Sequence, residues 1–413
     1  MKRPQFIKKW RNSFVSNWFL FVLGSYFFFF PLGQLLRIQT TFSSIPIFVP
    51  DFLALLFSLS GLLLMRKMHR HVPGLLPGTG FFLIAFISLA FSLQVFSINQ
   101  VATGSLYLLR FIAYFLMYPT VWILLENKLL RIRTLSLFLF FSAAGFLFSV
   151  GMQMFFASDF RSMAQYGWDP HIGRVLGSFF DPNYAGGFLV LLQLFFLSLF
   201  WEERSKSVRI LMLVFLSVSY VSFFYTFSRS SYLMYLMSFL VVGVVRSWKV
   251  FLVAVAVFLL SLQIVPRGSE RIAGAVERDV TAVARTNSWE RGLLFTSERP
   301  FSGWGFNMTR YAHRKYGYEE IAASHGGSGI DSSFLFVLVT TGVFGLALYI
   351  FVWVEIIDNI FRWVKKSPFT VAALAGLFGL FIHSFFVNSL FYPEIMGWIF
   401  PFLGLAVYKD HKV

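Results

Sequence analysis

Residues 266–331 read PRGSERIAGAVERDVTAVARTNSWERGLLFTSERPFSGWGFNMTRYAHRKYGYEEIAASHGGSGID, the one long polar stretch in a 413-residue chain that is 57% hydrophobic and 20% aromatic. The stretch holds Arg267, Arg271, Arg278, Arg285, Arg291, Arg299, Arg310 and Arg314, with a single lysine, Lys315. Charged residues make up 13% of the chain, against roughly 25% in soluble domains. The chain therefore reads as an integral membrane protein and residues 266–331 as a loop between two of its spans.

Working outward, apolar runs are measured against the roughly 20 residues a spanning helix needs. Twelve runs emerge, at 16–36, 46–65, 79–97, 102–124, 136–156, 184–201, 210–226, 231–245, 250–265, 332–355, 370–389 and 394–408. The expected fold is all-α and polytopic, one transmembrane domain over 1–413 with about 12 helices. With the N-terminus cytoplasmic, alternate connections carry 21 of the 35 basic residues, from Lys2 and Arg3 to Lys409 and Lys412. Basic residues set topology in this way, so both termini are expected in the cytoplasm. The loops 157–183 and 266–331 then fall on the outer face. Met1 to Arg11 is basic, and no small-residue cleavage site closes the apolar run after it, so the first span is expected to stay as an anchor. The net charge of +16 is first a topology signal, and no nucleic-acid partner is expected from it. There is no cysteine, which removes disulfides, thiol catalysis and thiolate metal sites.

Thirteen basic residues lie on the outer face and twelve of them are arginine. Topology does not require them. Arginine keeps its charge at any relevant pH and grips phosphate oxygens with two parallel hydrogen bonds, so an outer-face arginine set suits a phosphate-bearing ligand.

Several motifs supply candidates. Gly173-Arg174 precedes Asp181-Pro182-Asn183, a turn and helix-start signal in which Asp181 and Asn183 either cap the sixth span or meet a ligand. Arg229 sits in the turn Thr226-Phe227-Ser228-Arg229-Ser230-Ser231, where an arginine either snorkels to headgroups or binds. Thr281 to Phe295 reads as an amphipathic helix with Arg285, Trp289 and Leu293 on one face. Phe301-Ser302-Gly303-Trp304-Gly305-Phe306 is a glycine-flanked aromatic turn. Ser324-His325-Gly326-Gly327-Ser328-Gly329-Ile330-Asp331 lacks the strand and lysine of a nucleotide-binding loop, so ATP is rejected. It does supply two proton acceptors beside the membrane, His325 and Asp331, and Asp331 is equally placed to cap the tenth span.

In this order, the pieces from Gly173 to Leu346 resemble the bacterial O-antigen ligase and polymerase superfamily: Arg174 through Ala185, Ser228-Arg229, Arg285 with Trp289, Pro300 to Gly305, and Gly342-Val343-Phe344-Gly345. The resemblance implies an inverting glycosyltransferase without metal or cofactor at the bacterial inner membrane. Its donor would be an undecaprenyl-diphosphate-linked glycan, its acceptor a second glycan or lipid A core, and its other partners membrane lipid and further polysaccharide-assembly proteins. Ligases of the family carry a His-Asn pair where Asp331-Ser332 stands here, eleven residues before Gly342, and His325 is six residues earlier still. The resemblance therefore points to a polymerase of O-antigen, capsule or exopolysaccharide first, and to an O-antigen ligase second. It implies Arg174, Arg229 and Arg285 on the diphosphate, Asp331 as the base with His325 second, and His325, Trp289, Asn183, Asp181 and Trp304 as substrate contacts. A flippase of lipid-linked oligosaccharide is the rival from another class. A transporter places its ionisable groups near the membrane midplane, and here only Arg110 among the basic residues falls inside a span.

Overall fold

A computed structural model describes residues 5–40, 43–65, 72–277, 279–323, 329–364 and 367–408. The apolar helices are α1 (Gln5–Phe29), α2 (Val49–Met65), α3 (Leu75–Ser92), α4 (Ile98–Glu126), α5 (Ile132–Phe156), α6 (Pro182–Glu202), α7 (Lys206–Phe224), α8 (Arg229–Val245) and α9 (Trp248–Ile264). Residues 266–331 contribute α10 (Pro266–Val276), α11 (Val280–Glu298), α12 (Thr309–Lys315) and α13 (Glu319–Ala323), before α14 (Ser333–Trp363), α15 (Pro368–Ser384) and α16 (Pro393–Val407). Among the described residues, seven helices are long and apolar enough to cross a membrane, or eight if α9 and α10 form one bent span. That is fewer than the twelve apolar runs, because α2, α8, α15 and α16 have only 15–17 residues each.

The departure from helix is a hairpin of β1 (Arg37–Thr40) and β2 (Ser43–Phe48), pairing Arg37 with Phe48. It occupies the start of the run expected to be helical from residue 46. Pro46 lies inside β2 and Pro50 in the first turn of α2, the helix position where a proline's missing N–H is least costly. The helix therefore begins later than hydropathy suggests.

Helices α4, α6, α15 and α16 are buried along most of their length, as helices apolar on every side should be. Helices α2 and α16 pack on α4, α15 on α6 and α8, and α14 on α3. The surrounding helices turn large apolar side chains outward, among them Phe21, Phe28, Phe148 and Phe155, as a lipid-facing surface requires.

Two local devices shape the polar segment. At Val265–Pro266 the chain bends by 99°, and α10 lies across the turn between α7 and α8. There the Arg267 guanidinium sits 4.7 Å from the Phe227 ring centre, and Arg271 Nε donates to Phe227 O at 3.4 Å. The second device is a break in α14 at Gly342 (φ 69°, ψ −174°). In an unbroken helix the carbonyls of Val339 and Thr340 would accept from the amides of Val343 and Phe344. Here they accept from Trp304 N at 2.9 Å and Gly305 N at 3.0 Å, and Val343 N donates to Pro300 O at 2.9 Å. The aromatic turn Phe301–Gly305 is thus seated in the broken helix. A Cβ on Gly342 would lie 2.2 Å from Phe301 O, on a backbone that disfavours any side chain. Gly342→Ala is expected to cost more than the roughly 1–3 kcal/mol of an ordinary strained residue, seen as a lower thermal midpoint and poor recovery of folded protein from membranes.

Candidate functional site

A cavity of about 490 Å³ gathers residues from well-separated stretches of the chain, within the size range of ligand sites. Arg174 comes from the segment before α6, Asp181 and Asn183 from the start of α6, Arg271 from α10, Arg285 from α11 and Asp331 from the approach to α14. Asp169 and His171 line it as well.

Each side chain is placed by local chemistry. Helix α7 ends at Phe224, and the following turn leaves carbonyls without helical partners. Arg174 takes two of them, donating from Nε to Thr226 O at 2.8 Å and from Nη2 to Phe227 O at 3.4 Å. The backbone behind it is held by Gln153, whose Oε1 accepts from Leu176 N at 3.0 Å and Gly177 N at 3.3 Å. Asp181 caps α6, its Oδ1 accepting from Asn183 N at 2.6 Å and Tyr184 N at 3.1 Å, with Pro182 in the first helical position. Asn183 Oδ1 in turn accepts from the Ser228 hydroxyl at 2.9 Å.

Helix α11 carries Arg285 and also fixes Asp331. Ser288 Oγ accepts from Asp331 N at 3.1 Å, and Trp289 Nε1 donates to Asp331 O at 2.9 Å. Trp289 thus holds the Asp331 backbone and packs its ring 5.9 Å from that of Phe386, outside the cavity lining. The buried face of α11 runs through Ser288, Gly292 and Phe295. Leu293, expected beside Arg285 and Trp289, is instead 59% exposed, because the close-packed stripe of a helix shifts toward its small residues.

Arg229 does not line the cavity. Its Nη2 pairs with Asp279 Oδ1 at 2.8 Å and also reaches the Thr281 hydroxyl. Asp279 caps α11 by accepting from Ala282 N at 3.0 Å, so Arg229 anchors the start of the helix that bears Arg285. Trp304 lies apart from the cavity, 1% exposed. It donates to Phe295 O at 2.8 Å and is flanked by Arg299 and Lys315 at 4.7 and 5.0 Å from its ring. His325 lies outside the described residues.

The electrostatics are those of an anion site with one basic carboxylate. Burial first, and then the neighbouring Arg271, lowers the Arg174 pKa to about 10, so it stays cationic at neutral pH. Burial also lowers Arg285, while Asp331 pulls the other way. Asp331 keeps an accessible surface, yet it faces a walled cavity, and burial raises its pKa against the opposing pull of Arg285. For Asp279, burial alone would raise the pKa. Hydrogen bonds from Arg229, Thr281 and the Ala282 amide outweigh it and hold the carboxyl well below the ordinary range. Among the described residues no group of three or more His, Asp or Glu is gathered closely enough to hold a metal ion.

Among the lining residues that went unselected in the sequence are Arg271 and His171. Arg271 reaches the cavity only because the chain bends at Pro266. His171 is brought there by the fold of the segment before α6, where Phe160 N donates to His171 O at 2.7 Å and Gly173 N to Ser158 O at 2.8 Å. Burial, then the Arg174 charge, lowers the His171 pKa below its usual value. A search of curated proteins returns no match to the chain. Residues 211–350, which carry Arg229, Arg271, Arg285, Asp331 and the Gly342 break, match the sequence model of the O-antigen ligase family (Wzy_C). Residues 211–350 of this multi-pass membrane protein are thus an O-antigen ligase family domain.

Proposed function

We propose that the chain is a glycosyltransferase that lengthens a polysaccharide on the outer face of the bacterial inner membrane, moving a glycan from undecaprenyl diphosphate onto a second glycan. The observation that carries this reading is the convergence of Arg174, Arg271 and Arg285 on the same cavity as Asp331. Displacing a lipid diphosphate from an anomeric carbon builds negative charge on the departing phosphate. Fixed arginines in a walled site stabilise that charge without reorganising. Asp331, unprotonated, takes the proton of the attacking acceptor hydroxyl, and in-line attack inverts the anomeric centre. Asp181 and Asn183 shape the wall beside the sugar, His325 contacts substrate from the same loop, Arg229 and Trp289 position Arg285 and Asp331, and Trp304 holds the loop fold. This chemistry asks nothing of a metal or a cofactor.

The accompanying topology has twelve spans, with α2, α8, α15 and α16 tilted or sheltered by neighbours, both termini cytoplasmic, and 157–183 and 266–331 outside. Every cytoplasmic connection is then basic. A second reading, attachment of the finished glycan to lipid A core, is favoured by the name of the matching family. Asp331 at the position where the ligases carry a His-Asn pair favours the polymerase. Gel analysis of surface glycans from a deletion strain separates them. A polymerase leaves a single short unit attached, a ligase leaves none, and an unchanged glycan ladder would sink both.

A further inference from the structure

The same cavity holds a second set of cations that the proposed reaction leaves without a task. Arg37 of β1, Arg110 of α4 and Arg310 of α12 line it together with Tyr107. All three arginines act electrostatically on the Tyr107 hydroxyl. The cations that act on Arg174, Arg285 and Asp331 are instead Arg229, Arg267, Arg271, Arg285 and Arg291. One continuous space therefore has two cationic ends, built from different parts of the chain.

The carboxylate beside the second end is already committed. Asp51 Oδ2 pairs with Arg110 Nη2 at 2.8 Å and accepts from Phe48 N at 3.0 Å, and its Oδ1 accepts from the Tyr114 hydroxyl at 2.9 Å. The Arg37 guanidinium lies 5.5 Å from the Trp168 ring centre, and its buried Nε has no hydrogen-bond partner. A buried donor left unsatisfied is destabilising.

We propose that Arg37, Arg110 and Arg310 form a second anion subsite, which holds an acidic group, a carboxylate or a phosphate, on the acceptor glycan. The proposal rests on the first end binding the donor diphosphate. With that end filled, the acceptor hydroxyl must arrive at Asp331 through the remainder of the cavity, and the second cationic end borders that path. Anchoring the acceptor there converts an encounter into a positioned attack. Such a subsite selects acidic repeat units over neutral ones.

The test uses purified full-length protein and two readouts. Calorimetric titration with inorganic pyrophosphate is expected to find two sites, one lost in Arg285→Gln and the other in Arg37→Gln combined with Arg310→Gln. In glycan transfer with lipid-linked glycans extracted from the host membrane, the double variant is expected to raise the acceptor KM roughly tenfold or more, the loss of a charged hydrogen bond, with the donor KM unmoved. Arg37→Lys, which keeps the charge, guards against misfolding and should bind at intermediate strength. A single pyrophosphate site, or a second site indifferent to Arg37 and Arg310, overturns the proposal. A rise in donor KM alone assigns the subsite to the donor and overturns it too. Displacement of pyrophosphate by phosphatidylglycerol with no change in acceptor KM marks a lipid headgroup site and likewise overturns it. A site sensitive to Arg37 with none sensitive to Arg285 overturns the donor reading, and the acceptor assignment with it.

Discussion

Replacing Arg285 by alanine is expected to lower kcat by about 10²–10³-fold, the usual loss when one preorganised donor to a developing oxyanion is removed. Arg285 is the cation best placed for this, because it shares the cavity with Asp331 and its charge acts directly on that carboxylate. Arg174 spends Nε and Nη2 on the carbonyls of Thr226 and Phe227, which fixes its position and leaves fewer donors for a ligand. Arg285→Lys is expected to fall between the two, since an ammonium keeps the charge but loses the planar fork. Turnover by detergent-purified protein, with gel filtration and thermal unfolding as controls for folding, reads the result. Activity of Arg285→Ala within twofold of wild type would remove it from the diphosphate site.

Asp331→Asn is expected to cost about 10²–10⁴-fold in kcat, the range for loss of a positioned general base. Asparagine preserves shape and both backbone bonds to Ser288 and Trp289, so donor KM should hold while turnover collapses. The pH profile supplies an independent sign. Only the ionised carboxyl accepts a proton, and burial raises its pKa above the ordinary 3.8. Activity is therefore complete above that raised pKa and declines as pH falls through it, an acid limb lying above 3.8. In Asp331→Asn the residual activity should lack this limb. A variant that keeps it would assign the proton to another group, and neutral His171 on the same wall is the first to examine.

Much of the helical scaffold was legible because the length of an apolar run is written locally in the chain. Each of the twelve apolar runs overlaps a helix, although the second begins in β2 and several, α8 and α16 among them, are short. Arg174, Arg285 and Asp331 stood out because topology had no use for charge where they sit, and the structure brings them to one cavity. What escaped depends on geometry that no local pattern carries. Arg271 looks like any loop arginine until Pro266 turns α10 across the α7–α8 turn. Trp304 is expected as a substrate contact in a glycine-flanked turn, but its neighbours Gly303 and Gly305 serve the joint with α14 and draw the ring inward. The hairpin that carries Arg37 lies mostly in the connection between the first two runs, and its last residues, Pro46 to Phe48, read as the start of a helix because hydropathy does not distinguish a strand from a helix start. The role of Arg229 could not be separated from that of Arg285 by spacing, because its partner Asp279 lies fifty residues away.

The joint at Gly342 also constrains the order in which the protein is assembled. Backbone groups stripped of helical partners are costly in hydrocarbon, and α14 has carbonyls at Val339 and Thr340 that accept instead from Trp304 N and Gly305 N, the second also from the Ser88 hydroxyl at 2.7 Å. Trp304 and Gly305 precede α14 in the chain and, in the proposed topology, must already be across the membrane. The tenth span therefore cannot mature as an independent rod. Its final shape awaits export of the polar segment, so translocation and folding are one coupled step at this point of biogenesis.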